Sequence, residues 1–322
     1  MNAITIIIDR FDGTRRYRQE YTVGKHDLHN KTVLATLIHI KETLDPTLNF
    51  TASCRSAICG ACGVRVNGHA ILGCDTKIEE LLALYNADTL SISPLANYTV
   101  ISDLVVDWEP SIENLRAVRP GLVAKSEFSK EQGCTQSEAD FESIKLMWDC
   151  ILCGCCASGC NKLSSNNKDY MEPFVFTHAW RAAADSRSGD PMAHGKPAVD
   201  KGLWKCVHCQ ECSNACPKEI KPVDDIAGLR ALSVRHGMNQ DKGPKHAKAF
   251  LTDLRETGRL NEVKMALRTE GLSTFARAGF ACTLWRKGKM NPLEILGDSP
   301  IEGQADLTRM LDAAQAATKA KE

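Results

Sequence analysis

Twelve of the fifteen cysteines in this 322-residue chain fall into three tight groups of four. The groups are Cys54, Cys59, Cys62 and Cys74; Cys150, Cys153, Cys156 and Cys160; and Cys206, Cys209, Cys212 and Cys216. Thiolates packed this closely repel one another and oxidise readily, so such groups indicate metal centres that compensate the charge. An odd total, grouped in this way, does not fit a secreted disulfide framework. The sequence therefore predicts a metalloprotein with three thiolate sites.

Charge and hydropathy exclude other classes. The 40 Lys and Arg residues balance 40 Asp and Glu residues, which argues against a protein that mainly binds nucleic acid. No run approaches the roughly 18 consecutive apolar residues of a membrane span, and the first residues lack the regions of an export signal. We expect a chain that neither spans a membrane nor directs its own export.

Hydrophobic periodicity predicts a small sheet domain over residues 1–105. Alternation over residues 4–23, interrupted by Asp12-Gly13, is typical of a β-hairpin. Residues 31–44 have helical spacing, residues 50–74 are typical of a loop followed by a second hairpin, and residues 89–94 are predicted to form the last strand. The composition then changes, which predicts a domain boundary near residue 105.

The rest of the chain is predicted to be helical and to contain an internal repeat. The two later cysteine runs are separated by residues 161–205 and suggest a duplicated site over residues 106–237. A helical extension over residues 238–322 follows. Its apolar stripe has helical spacing and consists of Phe250, Leu251, Leu254, Leu260, Val263 and Leu267. We expect this stripe to pack against the chain's own core, with a partner-binding surface as the alternative.

The first cysteine group has the Cys-x4-Cys-x2-Cys spacing of plant-type 2Fe-2S sites, with a fourth cysteine further along. Gly60 and Gly63 are interleaved with the cysteines, and glycine lets backbone N–H groups approach the sulfides of a cluster. Zinc is the alternative, but zinc ribbons favour two separated Cys-x2-Cys pairs. We predict a 2Fe-2S cluster held by Cys54, Cys59, Cys62 and Cys74.

The other two groups each match the bacterial ferredoxin run Cys-x2-Cys-x2-Cys-x3-Cys, although only the second ends in the usual proline, Pro217. In that arrangement the fourth cysteine of each run binds the other cluster. One 4Fe-4S cluster is therefore assigned to Cys150, Cys153, Cys156 and Cys216, and a second to Cys206, Cys209, Cys212 and Cys160.

Three cysteines remain outside these ligand sets. Cys155 is interpreted as a small buried hydrophobe, and Cys134 and Cys282 as unliganded thiols. The chain contains no dinucleotide-binding, nucleophile-elbow or zinc-protease motif, so we assign it no catalytic residue. Three redox centres without a substrate site indicate an electron relay.

The segments 53–63, 150–156 and 206–217 together resemble the iron-sulfur subunit of succinate dehydrogenase and fumarate reductase, and the resemblance covers residues 4–237. It implies an α+β fold, in which a β-grasp plant-type ferredoxin domain precedes a helical domain like a two-cluster bacterial ferredoxin. It also implies an FAD-containing flavoprotein partner that interconverts succinate and fumarate, and electron delivery towards a quinone site.

The sequence departs from that family at two places. Most members lack a cysteine at the position of Cys209 and hold a 3Fe-4S cluster there, so we predict 4Fe-4S as the third centre, with 3Fe-4S if Cys209 is not a ligand. Many members also have Pro and Trp after the fourth cysteine of the first run, and a His directly after the first cysteine of the second. Here Asn161 and Val207 stand at those positions. His208 is therefore expected beside the cluster ligands or at the surface, not in a quinone pocket.

The segment 250–263 is similar to the tail of subunits that dock onto a cysteine-rich, heterodisulfide-reductase-like partner. That class comprises the methylmenaquinol:fumarate reductases, or non-classical succinate dehydrogenases, and it has no haem-bearing anchor. The likeness implies a peripheral position on the inner membrane through partner subunits. We expect the cytoplasmic side, with the periplasm by co-export as the alternative.

Two other functions stay open from the sequence. The chain could be an electron carrier of a heterodisulfide-reductase-like complex, although the plant-type domain favours succinate or fumarate chemistry in the partner. It could also be a zinc-stabilised scaffold, in which all twelve thiolates are structural. Iron-sulfur proteins are brown and zinc proteins are colourless, so the colour of the purified protein separates these two classes.

Overall fold

The computed structural model describes residues 3–126, 128–129, 131, 133–165, 169–289, 291 and 299–320. The chain divides into two compact units, Met1–Ser233 and Val234–Glu322. The predicted α+β class is confirmed, because a sheet opens the first unit and helices make up the rest. Within the described ranges, no helix is long and apolar enough to cross a membrane.

A five-stranded mixed sheet, in the order β2-β1-β5-β3-β4, opens the first unit. Its strands are β1 (Ala3–Phe11), β2 (Arg16–Gly24), β3 (Gly63–Val66), β4 (His69–Leu72) and β5 (Thr89–Ser93). Both predicted hairpins are confirmed, since β1 pairs antiparallel with β2 and β3 with β4. The alternation in β1 buries Ile4, Ile6 and Ile8 to 1% exposure or less and leaves the intervening residues on the other face.

Three helices accompany the sheet: α1 (Lys25–Leu28), α2 (Val33–Thr43) and α3 (Ile78–Tyr85). The predicted helix is α2, and the Thr32 hydroxyl caps it by accepting the Ala35 N–H at 3.2 Å. Residues 89–94 do not form the last strand, because β6 (Val100–Ser102) and β7 (Val105–Val106) follow as a two-stranded ribbon. Strands of two or three residues are too short to give a periodic signal.

Among its described residues, the helical region of the first unit has eight α-helices. They are α4 (Glu109–Ala117), α5 (Glu138–Trp148), α6 (Cys155–Ser158), α7 (Asn161–Ser164), α8 (Pro173–Ala183), α9 (Met192–Asp200), α10 (Glu211–Asn214) and α11 (Pro222–Arg235). Helix α8 is buried along most of its length, including Phe174 and Phe176. The surrounding core also contains the side chains of Cys156, Cys160 and Cys212.

The second unit contains α12 (Lys242–Thr257), α13 (Glu262–Glu270), α14 (Ala278–Arg286) and α15 (Gln304–Ala320), with a 3-10 helix at Gly271–Arg277. Asp253 is 2% exposed, accepts the Asn261 N–H at 3.1 Å and pairs with Arg268, which joins α12 to α13. The expectation that the apolar stripe packs into the chain's own core is wrong. None of its six residues is buried: Leu254, Val263 and Leu267 are half-buried, and Phe250, Leu251 and Leu260 are exposed.

Candidate iron-sulfur sites

The β3-β4 hairpin brings the third and fourth cysteines of the first group together. Cys62 directly precedes β3 and Cys74 lies two residues beyond β4, and Gly63 pairs with Leu72 in the ladder. The Cys74 N–H consequently donates to the Cys62 Sγ at 3.4 Å. The hairpin predicted from Asn67-Gly68 therefore positions half of this group.

The loop that carries Cys54 and Cys59 directs backbone N–H groups at sulfur. The Cys54 Sγ accepts from Ser56, Ile58 and Cys59 at 3.3 to 3.4 Å, and the Cys74 Sγ accepts from Ala57 at 3.2 Å. These backbone hydrogen bonds lower the pKa of the Cys54 thiol to about 6. The loop is thus shaped to hold negatively charged sulfur before any metal binds.

The first four-cysteine run lies between α5 and α7. Cys150 follows α5, Cys153 precedes α6, and Cys156 lies within α6. One pocket is lined by Cys150, Cys153, Cys156 and, from the second run, Cys216. These are the four thiols that the ferredoxin pattern assigns to a single cluster, and they come from two segments about sixty residues apart in the chain.

Burial is the main influence on the pKa values of most thiols in this pocket. It raises the pKa of Cys150 to about 11, and it raises the pKa of Cys156 well above the ordinary value, with nearby thiols adding to the effect. The pKa of Cys153 is instead lowered to about 7, chiefly by a hydrogen bond with the Cys155 side chain. Thiolate at most of these positions therefore requires a metal that replaces the proton.

Cysteines of the second run act electrostatically on Cys160 of the first. Burial, followed by the charges of Cys206 and Cys160, raises the pKa of Cys212 to about 12. Burial also raises the pKa of Cys160, and the charges of Cys206 and Cys209 act in the same direction. Cys209 is exposed, and the Asn161 amide lies 3.9 Å from its Sγ. Cys160 thus lies close enough to Cys206, Cys209 and Cys212, the other members of its predicted ligand set, for their charges to interact.

The residues present fit iron-sulfur centres in the chemistry of their donors. Thiolates are soft ligands that suit such clusters, and the first loop adds N–H groups that point at sulfur. Within the described ranges, no three His, Cys, Asp or Glu side chains are arranged around the position of one metal ion. The agreement with iron-sulfur clusters therefore rests on the chemical type of the ligands and on the grouping of the cysteines.

The three remaining cysteines lie in different surroundings. Cys155 is fully buried beside Cys62, Cys153 and Leu72, in agreement with its interpretation as a small buried residue. Cys134 is half-buried, and Cys282 is exposed on α14.

Sequence reasoning did not identify two polar residues that hold the cysteine runs in place. Arg230 of α11 donates to the carbonyls of Leu203 and Cys206 and to the Nε2 of His208, which lies at the surface. The Asn97 amide donates to the carbonyls of Ala157 and Cys160 at 2.8 and 3.2 Å. Neither residue belongs to a motif, so only the fold reveals these roles.

Two domain families match the chain. Residues 5–113 match a family described as a 2Fe-2S iron-sulfur cluster binding domain, and residues 146–220 match one described as a 4Fe-4S dicluster domain. Iron-sulfur centres are therefore the cofactors that both matched segments indicate.

Curated relatives and one solved structure extend the match to most of the chain. The 8-methylmenaquinol:fumarate reductase iron-sulfur subunit of Wolinella succinogenes is 63% identical over 97% of this chain and 99% of its own. The mitochondrial succinate dehydrogenase (ubiquinone) iron-sulfur subunit 1 of Oryza sativa subsp. japonica is 33% identical over 72% of this chain and 83% of its own. A chain of the Mycobacterium smegmatis Sdh1 complex in the apo form has the same fold, with a TM-score of 0.63 at 22% identity over 72% of this chain and 96% of its own.

Proposed function

The chain belongs to the family of iron-sulfur subunits of succinate dehydrogenase and fumarate reductase, and we propose that it relays electrons between an FAD flavoprotein subunit and a quinone-reactive, membrane-side subunit. It is an electron-transfer subunit of an oxidoreductase complex, and the catalytic site belongs to a partner. An iron-sulfur centre takes up and returns one electron at a time. The match of residues 5–113 to a 2Fe-2S family favours this function over an electron carrier of a heterodisulfide-reductase-like complex.

Three ligand sets complete the proposal. They are Cys54, Cys59, Cys62 and Cys74 for 2Fe-2S; Cys150, Cys153, Cys156 and Cys216 for 4Fe-4S; and Cys160, Cys206, Cys209 and Cys212 for a second 4Fe-4S. The observation that carries this proposal is the pocket that Cys216 shares with three cysteines of the other run. A scaffold with one zinc ion per run would not need a thiol from the other run.

The ligand sets predict about ten irons per chain, since two, four and four atoms occupy the three sites. Cys209→Ser should lower the count to about nine and give a 3Fe-4S signal in the oxidised protein, because only one thiolate is removed from the third set. Iron analysis and electron paramagnetic resonance of the purified complex measure both changes. Cys282→Ser, at an exposed cysteine outside the sets, is the matched control and should keep all ten irons. Nine irons in the unmodified chain would indicate a 3Fe-4S third centre.

We propose that the chain works in three parts: a 2Fe-2S domain (1–105), a two-cubane domain (106–237) and a docking extension (238–322). Four large apolar side chains of the extension are more than half exposed between residues 271 and 289: Leu272, Phe275, Phe280 and Trp285. The same segment carries Arg277, Arg286, Lys287 and Lys289 and no acidic residue. This surface suits a partner with an apolar, acidic face, which we take to be the heterodisulfide-reductase-like subunit.

Replacing Phe280 and Trp285 together by Asp should release the membrane-side partner and leave the flavoprotein bound. Native mass spectrometry of the affinity-purified complex shows whether each of the two partner subunits is still bound. Replacing Cys282 and Thr283 together by Asp adds the same two charges at other exposed positions of α14 and should release neither. Partner loss in both variants would mean that added charge, and not the apolar contact, is responsible.

We propose that the complex lies on the cytoplasmic side of the inner membrane, with co-export to the periplasm as the alternative.

A further inference from the structure

Two glycines of the first cysteine loop lie directly against the backbone of the first four-cysteine run. This contact, between residues 59–63 and residues 151–154, is called the glycine seam below. We infer that Gly60 and Gly63 are positioning residues that set the separation between the first and second redox centres. The inference builds on the proposed function, because it assumes the first two ligand sets.

The seam leaves no room for a methyl group. A Cβ on Gly63 would lie 2.7 Å from the Cys153 carbonyl oxygen, and a Cβ on Gly60 would lie 2.9 Å from the Cys153 Cα and still closer to the Ile151 carbonyl oxygen. All these neighbours are backbone atoms, which cannot rotate away as a side chain does. Any larger residue must therefore move one loop away from the other.

The structure requires glycine at these two positions for different reasons. Gly60 has a φ of +74°, so its backbone conformation also favours glycine. Gly63 is not among the residues with positive φ, and alanine could adopt its backbone without strain. At Gly63 the nearest obstacle is the Cys153 carbonyl of the neighbouring run, and the Leu95 side chain at 3.3 Å can move aside, which makes this position the cleaner test.

Further contacts prevent the two loops from sliding past one another. The Ala96 N–H donates to the Ser158 hydroxyl at 2.9 Å, and the Asn97 amide holds the Ala157 carbonyl. Within the run itself, a Cβ on Gly154 would lie 2.9 Å from both the Tyr98 hydroxyl and the Trp108 ring. The run therefore packs against two aromatic residues as well as against the glycines.

The seam joins ligands of both proposed centres in one apolar cluster. Cys62 of the first set and Cys153 of the second are both at most 9% exposed and pack with Leu34, Leu72 and Cys155. Because electron tunnelling slows exponentially with distance, a seam of direct backbone contact is where a small displacement has a large effect on rate.

The test is Gly63→Ala in the assembled complex. We expect all irons to remain, the magnetic interaction between the reduced first and second centres to weaken, and electron transfer between them after flash reduction to slow several-fold. Gly60→Ala should act in the same direction. Gly73→Ala is the matched control, since its Cβ would approach the Cys62 carbonyl at 3.1 Å within the same domain and would not touch the other run.

Three results would overturn the inference. One is an unchanged interaction and rate in Gly63→Ala with full iron content; another is an equal loss in Gly73→Ala, because the effect would then be local to the first loop. If the variants lose iron, the test is made on the unmodified complex. There, paramagnetic resonance signals of the first and second centres that show no magnetic interaction on full reduction would contradict direct contact. Absence of iron-sulfur signals from the unmodified complex would instead refute the proposed function.

Discussion

The main hydrophobic cluster of the sheet domain and that of the helical region differ in whether they contain cysteine. The cluster of buried residues inside the sheet domain, which includes Ile6, Leu37 and Leu90, contains no cysteine. The helical cluster includes Cys156, Cys160 and Cys212, all predicted iron ligands. The sheet domain can thus bury its apolar surface without metal, whereas the helical region surrounds its ligands with its core.

The same contrast applies to charge. In the sheet domain, backbone N–H groups around Cys54 favour a thiolate, and Arg10 is neutralised by protein carboxylates. In the helical region, burial raises the pKa of Cys150 and Cys212 to about 11 and about 12. The sheet domain stabilises the Cys54 thiolate and Arg10 with its own groups, whereas its buried Cys62, like Cys150 and Cys212, needs a metal to replace its proton.

Removal of iron should produce the largest difference between the two regions. Anaerobic chelation should unfold residues 146–220 and leave the strands of residues 3–24 protected, because metal binding in small structural sites contributes on the order of 10 kcal/mol to folding. Hydrogen exchange with mass spectrometry compares the two segments in one sample, and the iron-loaded chain is the control. Equal loss of protection in both would show that the sheet also depends on its cluster.

Arg10→Ala tests whether the sheet domain is held by its own charges. Arg10 is 4% exposed, and its guanidinium contacts Asp103 at 2.9 Å and Asp45 at 2.5 Å. Loss of one partner from a buried ion pair costs about 3–5 kcal/mol, and urea unfolding monitored on β1 peptides should show it. The control is Arg18→Ala, whose exposed pair with Asp9 should cost less than about 1 kcal/mol. Similar losses in both variants would argue against a special role for the buried network.

The smallest effect concerns the pH dependence of thiol reactivity in the iron-free sheet domain. Thiolate is the reactive form, so a lowered pKa extends reactivity to lower pH. Alkylation of Cys54 should reach half its maximal rate near pH 6, whereas burial, which raises the pKa of Cys62 to about 12, should keep that thiol unreactive at neutral pH. Peptide mass spectrometry after brief iodoacetamide pulses measures both. A Cys54 midpoint near the ordinary value of about 8.5 would mean that the N–H groups do not act on it.

Prediction from the sequence succeeded where the signal is local. The hairpins follow from alternation and turn residues, and α2 follows from spacing and a capping threonine. It failed for β6 and β7, which are too short, and for the stripe around Phe250, whose spacing indicates an apolar face but not what covers that face. The spacing of Gly60 and Gly63 predicts close backbone approach to a cluster, but no local pattern indicates the neighbouring run that fills the space beside them.

The sequence by itself determined the number and spacing of the cysteines from which the three ligand sets are proposed, because each run is a short continuous segment of the chain. The pairing of Cys216 with the first run already followed from the ferredoxin pattern, whereas only the tertiary structure decided that Cys153 lies against Gly63. Residues this far apart in the chain become neighbours through the packing of whole helices and loops. That packing depends on the summed burial of many side chains, which no single motif records.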